Sequence, residues 1–249
     1  MPEPFRLPRP SRALATLLLS CAAGCASLSG PPPEHDPWER FNRSVFAFNE
    51  SLDRHVLEPV ARGYRRVTPD AVETGIANVF ANLGELRNTL NNLLQGKPGA
   101  SLGSLGRFLV NGTLGLGGLF DVATPLGLER HDEDFGQTLG RWGIGPGPYL
   151  VLPLLGPSTL RDGGGRIADR GVDLVRTIED DELRWGLRAL DAVQTRARLL
   201  EAGELLDEAA LDPYVFTREA YLQRRRAQVH DGAPPPSAED EAIDIFSDE

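Results

Sequence analysis

Cysteine is almost missing from this chain. Only Cys21 and Cys25 occur among 249 residues, and both sit in or at an N-terminal leader, so the body of the protein has no disulfide and no thiol for catalysis. Histidines are few and scattered, at 35, 55, 131 and 230, without the spacing of a zinc site. Long hydrophobic runs are missing too: Ala13–Ala23 is too short to remain as a membrane-spanning helix. Positive charge is in deficit. The formal net charge is −10, and residues 1–24 carry three Arg and one Glu, which leaves about −12 on the remainder. That balance argues against nucleic acid as a partner and against attraction to anionic headgroups by bulk charge. Period-two alternation is scarce, and no internal repeat is visible.

The leader has a clear grammar. Arg6, Arg9 and Arg12 form a basic start, the apolar run follows, and Ala22-Ala23-Gly24 leads into Cys25. That order reads as a bacterial lipoprotein signal, cut before a cysteine whose thiol carries diacylglycerol. Cys21, after Leu18-Leu19-Ser20, is a rival anchor, and an ordinary secretory signal with two incidental cysteines is the plainer alternative. Ala26, where an Asp would favour retention in the inner membrane, favours export to the outer membrane; this is an address read by a receptor. Membrane association then rests on the anchor and on apolar surface. Ser27–His35 reads as a Pro-rich tether. Asp231–Glu249 holds seven acidic residues, three prolines and no basic residue, and reads as a disordered tail. The expected organisation is signal 1–24, lipidated tether 25–35, a helical domain 36–230 and an acidic tail 231–249.

Helix signals fill the body. Asp36-Pro37-Trp38-Glu39 has the form of a capped start, and Trp38, Phe41, Val45, Phe48 and Leu52 recur on one helical face. Pro59 limits this helix. Thr68-Pro69 opens another, with Val72, Ile76, Val79 and Leu83 on one face, and Leu86, Leu90, Leu93 and Leu94 continue to a stop at Gly96-Lys97-Pro98. Leu102, Leu105, Phe108 and Leu109 form a further amphipathic set. Asp180–Leu200 reads as a long helix with Leu183, Leu187, Leu190 and Ala197 inward, and Asp212-Pro213 caps a last one over Tyr214–Gln228. Tyr149–Leu155 is the one candidate strand, interrupted by Pro153. Two stretches, Asn111–Thr124 and Gly143–Leu160, are too apolar and glycine-rich for ordinary surface loops. From Val110 to Phe120 there is no charge, and Leu114, Leu116, Leu119 and Phe120 alternate with glycines. These leucines and Phe120 read either as core or as a surface set in lipid or lining a lipid path.

Motifs with chemistry are weak. Gly99-Ala100-Ser101-Leu102-Gly103 matches the nucleophile elbow of hydrolases, but the elbow needs a buried strand before its serine, and Gln95-Gly96-Lys97-Pro98 is a turn. Ser101 reads better as the cap of the next helix. Gly112–Gly118 lacks the Gly-Lys-Ser/Thr ending and the G-x-G-x-x-G spacing of phosphate loops. His131-Asp132-Glu133-Asp134 reads as a solvated loop rather than a metal site, since adjacent residues rarely converge on one ion. Asp162-Gly163-Gly164-Gly165 reads as a turn or the start of a helix. Arg224-Arg225-Arg226 reads as a solvated face, with phosphates at a membrane surface as the alternative. No catalytic residue, cofactor or metal is expected.

A set of pieces then stands out together: Asp36-Pro37 with Phe41-Asn42-Arg43, Asn88–Gly96, Arg107-Phe108 with Asn111 through Asp121-Val122-Ala123, Phe135-Gly136-Gln137-Thr138-Leu139-Gly140, Gly145–Pro153, Leu160-Arg161-Asp162, Asp212-Pro213-Tyr214 and Arg218-Glu219-Ala220-Tyr221. Over about residues 36–228 the chain resembles the MlaA (VacJ) family of phospholipid-binding outer-membrane lipoproteins. The resemblance implies an all-α fold, a single ring-like domain sunk in one membrane leaflet around a central amphipathic channel. It implies that phospholipids strayed into the outer leaflet descend through that channel toward the periplasm, that a trimeric porin and a soluble periplasmic carrier of the MlaC kind are partners, and that the chain itself uses no ATP. A lipoprotein that only braces porins is the competing reading from another class.

Changing Cys25 to Ser abolishes labelling by a palmitate analogue and leaves uncut precursor; labelling that persists in the Cys25→Ser protein moves the anchor to Cys21.

Overall fold

A computed structural model describes residues 36–235. Cys21, Cys25, the tether and all of the acidic tail beyond Pro235 lie outside the described residues. The elements run in the order α1 (Glu39–Leu52), a π-helical turn (Asp53–Leu57), α2 (Glu58–Val67), α3 (Asp70–Leu94), α4 (Pro98–Thr113), α5 (Phe135–Arg141), β1 (Tyr149–Leu152), β2 (Gly156–Thr159), α6 (Leu160–Asp169), a 3-10 turn (Leu174–Thr177), α7 (Asp181–Arg198), α8 (Leu200–Ala209) and α9 (Pro213–Val229). The fold is all-α apart from one antiparallel hairpin, in which Tyr149 faces Thr159 and Leu152 faces Gly156. No helix among the described residues is long and apolar enough to cross a membrane.

Neighbouring elements close a circuit. α1 lies on β1, β1 pairs with β2, β2 touches α6 and α9, α6 and α9 pack on α5, α5 on α3, α3 on α7 and α7 on α2, which continues α1 through the π-turn. A circuit of this kind leaves a space at its middle instead of a packed core. What is buried confirms the departure from an ordinary globule. Among the described residues nine apolar side chains are buried, against twenty polar or charged ones, while twenty-seven large apolar side chains are exposed. A globule in water buries its large apolar groups and leaves Asn, Asp and Arg outside; here the preference is reversed.

Helix α4 shows the reversal residue by residue. Ser101, Ser104, Arg107 and Asn111 are buried, at helical steps of three and four. Leu102 and Leu109 are 69% and 54% exposed on the other side. In α3 the buried positions are Gly75, Asn82, Glu85, Asn88, Asn91 and Asn92, while Val72, Leu90 and Leu93 are exposed. α1 follows the same rule: Asn42 is buried, and Trp38, Phe41 and Phe48 lie outside.

Several sequence expectations are corrected. Asp36 does not cap α1; the helix begins at Glu39 behind Trp38, because the Asp36 carboxylate is drawn into buried bonds described below. Pro59 does not end the helix. It falls in the first turn of α2, directly after the π-turn, where its missing N–H breaks no α-helical ladder. Ser101 is inside α4 rather than at its cap: Pro98 occupies the first turn and the Ser101 hydroxyl donates to the Thr89 carbonyl at 2.8 Å. Leu183 is 54% exposed rather than inward, and the expected helix Asp180–Leu200 starts one residue later, with Asp180 as its cap accepting from the Leu183 amide at 2.8 Å, and ends at Arg198 before α8. Asp212 and Pro213 start α9 as read, the carboxylate accepting from the amides of Tyr214 and Val215. Asp231 belongs to the folded body, since its carboxylate pairs with Lys97 and lies 3.8 Å from Arg141.

The glycine-rich stretch after α4 explains its composition through its backbone. The Gly118 amide donates to the Asn111 carbonyl at 2.8 Å and the Phe120 amide to the Gly115 carbonyl at 3.0 Å, so the turn is pressed flat against α3 and α4. A Cβ on Gly115 would meet the Phe120 carbonyl oxygen at 2.2 Å and that of Asn111 at 2.5 Å. Gly117, at φ +73°, faces open space. Leu114, Leu116, Leu119 and Phe120 project outward from this plate at 68%, 66%, 43% and 60% exposure.

These two glycines separate two physical causes. Gly117→Ala carries only a backbone cost of about 1 kcal/mol. Gly115→Ala forces backbone apart and costs about 3 kcal/mol or more. Thermal unfolding in detergent checks the order; equal losses refute the packing account of Gly115.

Candidate functional site

The polar interior is organised as hydrogen-bonded networks around buried arginines. On the α3–α4 side Arg107 donates from Nε to Glu85 at 3.0 Å, from Nη1 to the Thr124 hydroxyl at 3.0 Å and the Leu128 carbonyl at 2.6 Å, and from Nη2 to Asp121 at 3.1 and 3.2 Å. Asn111 finishes the arrangement by donating to Asp121 at 3.1 Å and accepting from the amides of Val122 and Ala123. Burial alone would raise the Asp121 pKa. The bonds from Thr124, Asn111 and Arg107 outweigh it and hold the carboxyl at about 2.

A second network joins α5, α6 and α9. Arg225 lies between two carboxylates, donating from Nη1 and Nη2 to Asp134 at 2.6 and 2.9 Å and from Nη2 and Nε to Asp162 at 2.9 and 3.1 Å. The Tyr221 hydroxyl adds a bond to Asp162 at 2.8 Å. Burial would raise both acids, yet Arg225 outweighs it: Asp134 falls to about 2 and Asp162 falls below its ordinary value. Gly136 is required here, because a Cβ would stand 2.6 Å from Asp162 Oδ1 and 2.8 Å from Arg225 Nη2. The readings of Asp132–Asp134 as a solvated loop and of Arg224–Arg226 as a solvated face are therefore overturned for Glu133, Asp134 and Arg225. Buried Glu133 accepts from Gln95 at 2.8 Å and Lys97 at 3.2 Å.

A third network ties the N-terminal helix to the rest. Asp36 accepts from Asn42 at 2.8 Å, from Arg218 at 3.2 Å and from the Tyr214 hydroxyl. Asn42 also bridges to β1, donating to the Tyr149 carbonyl at 3.0 Å and accepting from the Val151 amide at 2.9 Å. Asn49 repeats this two turns later with the Leu152 carbonyl and the Leu154 amide. Two asparagines thus satisfy the free edge of β1.

An open-mouthed cavity of about 670 Å³ lies between α3, α6, α7 and α9 of the circuit, within the range of small-molecule sites. α3 contributes Phe80, Leu83 and Arg87; α6 contributes Asp162, Arg166 and Asp169, with Arg170 just past its end; α9 contributes Tyr221, Arg224 and Arg225; α7 contributes Asp191; and Leu155, Pro157, Val172 and Val175 are among the rest of the wall. Apolar and charged side chains thus share one surface, as an amphipathic ligand requires. Sequence reading missed this wall. The three-residue spacing of Asn82, Glu85 and Asn88, polar groups at helical period opposite an apolar stripe, marked a different buried face, the one where Glu85 meets Arg107 of α4. Leu114, Leu116, Leu119 and Phe120 do not line this cavity; they sit on the exterior. No group of His, Cys, Asp or Glu able to hold a metal occurs among the described residues.

Known proteins share this architecture. The MlaA lipoprotein family profile matches residues 34–228. A protein of Escherichia coli (strain K12) named intermembrane phospholipid transport system lipoprotein MlaA is 37% identical over 237 residues, covering 94% of this chain and 92% of its own. The protein of the same name from Haemophilus influenzae is 34% identical over 250 residues, covering 96% and 98%. An uncharacterised protein of Rickettsia typhi is 36% identical over 196 residues, covering 78% of each chain. A solved structure described as the structural basis for maintenance of bacterial outer membrane lipid asymmetry matches with a TM-score of 0.70 and 39% identity, over 78% of this chain and 98% of that one.

The Arg225 network sets the acid limit of the fold. Asp134 is depressed from 3.8 to about 2, so its stabilisation is complete above about pH 4 and is lost as pH falls through about 2. Denaturation in detergent should show unfolding free energy dropping over that window. Asp134→Asn flattens the drop, and Arg225→Met costs about 3–5 kcal/mol at neutral pH by stranding two buried carboxylates. An unaltered acid limb in Asp134→Asn contradicts the assignment.

Proposed function

The chain belongs to the MlaA lipoprotein family, and from that membership and the geometry above we propose that it is an outer-membrane lipoprotein of intermembrane phospholipid transport. In this reading it takes phospholipid that has strayed into the outer leaflet and passes it inward, maintaining lipid asymmetry. The observation that carries the reading is the inversion of the fold: apolar side chains outside, charged and amide side chains inside, around an amphipathic cavity. Hydrocarbon accepts exposed leucine at no cost, while backbone and polar groups must be satisfied within the protein. The helices therefore sit in one leaflet without crossing it, with Cys25 as the lipid anchor. The cavity passes the headgroup. Leu114, Leu116, Leu119 and Phe120, beside the α4 face that carries Leu102 and Leu109, meet acyl chains.

A trimeric porin in the plane of the membrane and a soluble periplasmic carrier are the partners this arrangement calls for. A porin would cover part of the apolar exterior, and a carrier would receive lipid at the periplasmic end. Transport by this chain consumes no nucleotide, since lipid moves down a path and the energy is spent elsewhere. A lipoprotein that only braces porins would share the apolar exterior but would hold no lipid.

Protein purified in mild detergent, extracted and analysed by mass spectrometry, should carry phospholipid near stoichiometry; lipid-free protein supports the bracing role instead. Leu116→Asp should accumulate to normal levels yet leave cells leaky to detergent when it replaces the wild type. Loss of the folded protein in that variant returns Leu116 to a structural role.

A further inference from the structure

Five of the eleven charged residues that line the central cavity are paired with one another. Arg87 donates to Asp132, and Arg225 is shared by Asp134 and Asp162. Asp173 is held by Arg188. Asp169 accepts from Asn91 and from the Phe135 amide, and Asp191 accepts from Gln194. Three cations differ. Arg166, Arg170 and Arg224 all line the cavity, and among the described residues none of them has a carboxylate partner. Arg170 is the residue just past the end of α6, four after Arg166, a spacing at which like charges repel.

Arg166 is held in place. Its Nη1 donates to the Leu155 carbonyl at 3.2 Å and its Nη2 to the Pro157 carbonyl at 3.3 Å, so the β1–β2 turn orients the guanidinium without neutralising it. An oriented cation with neutral partners, in a cavity lined also by the exposed Arg170 and Arg224, leaves donors free for an anion. Guanidinium matches the oxygens of a phosphate in charge and in geometry. The same wall carries Phe80, Leu83 and Val175, which inorganic phosphate has no use for and an amphiphile does.

We propose that Arg166, Arg170 and Arg224 form the headgroup site of the cavity and bind the phosphodiester of a membrane phospholipid. The assignment rests on the transport reading above and deepens it: the cavity selects lipids by their phosphate, and acyl chains alone do not gain passage. A uniformly basic wall would hold the phosphate too tightly to release it. Here six aspartates, Asp169 and Asp191 among them, share the lining with five arginines, a balance that suits a site that must let its cargo go.

The test uses the full chain in mild detergent, incubated with vesicles made of phosphatidylethanolamine and diacylglycerol with matched acyl chains. Native mass spectrometry reads the ratio of captured phospholipid to captured diacylglycerol. The wild type should strongly favour the phospholipid. Arg170→Ala/Arg224→Ala leaves Arg166 and its turn contacts intact, so it should keep the helical circular-dichroism spectrum while its ratio falls at least about ten-fold. Arg170→Lys/Arg224→Lys should retain most of the preference. A wild-type ratio near one, or a double alanine variant with the wild-type ratio, overturns the arginine assignment and leaves lipid transport standing. Wild-type protein that captures neither lipid overturns the transport reading and this proposal with it. Release of captured lipid by inorganic phosphate alone, in the wild type, makes free phosphate the ligand and also overturns the proposal.

Discussion

Arg225 between Asp134 and Asp162 is the contact on which the rest of the interior depends. It joins the start of α5, the first turn of α6 and the face of α9 at one point, and it does so on the wall of the cavity. An ordinary domain is held together by removing apolar surface from water. This domain presents that surface outward, and once the surroundings are hydrocarbon no hydrophobic force draws the helices together. The polar groups must supply cohesion. Buried ion pairs are costly to desolvate and severe to break, so a fold built on them tolerates little loss at a single member. Arg107 with Glu85 and Asp121 plays the same part between α3 and α4, and Asp36 with Arg218 and Tyr214 fastens the N-terminal helix.

The small apolar clusters fit this division. Tyr149, Val151 and Tyr214 form one cluster, and Ala61, Ala197 and Leu200 another. The first fastens β1 to α9 and α1, and the second fastens α2 to α7 and α8. Tyr149, Tyr214 and Tyr221 meet edge to face, and two of the three turn their hydroxyls toward buried carboxylates, Asp36 and Asp162. Even the aromatic packing is thus bound into the polar networks.

Helix positions were legible from sequence because period and capping are local. Asp212 caps where it was expected to, and Gly96 ends α3 at φ +75°. The facing of those helices was not legible from hydrophobicity, since the usual rule assigns the apolar stripe to the interior. Leu183, Phe41 and Phe48 lie outside for that reason. Asn42, Asn88 and Asn91 were legible only as part of a family resemblance, and Arg225 read as part of a solvated face. Single residues of these types ordinarily mean solvent, and only their partners, up to 182 residues away for Arg218 and Asp36, show otherwise. The strand pairing of β2 and the π-turn before Pro59 have no local signal strong enough to find.

The central claim is that the exposed apolar face of α4 and its glycine-rich turn rests in hydrocarbon. The described residues offer a clean background for labelling, because both cysteines of the chain precede residue 26. Nitroxide labels on Leu102→Cys, Leu109→Cys and Leu116→Cys, in protein reconstituted into phospholipid vesicles, report collision with oxygen, which concentrates in lipid, and with a water-soluble nickel chelate. The account predicts high oxygen and low nickel accessibility at all three positions. Nickel accessibility like that of a label in bulk water at these sites would contradict it.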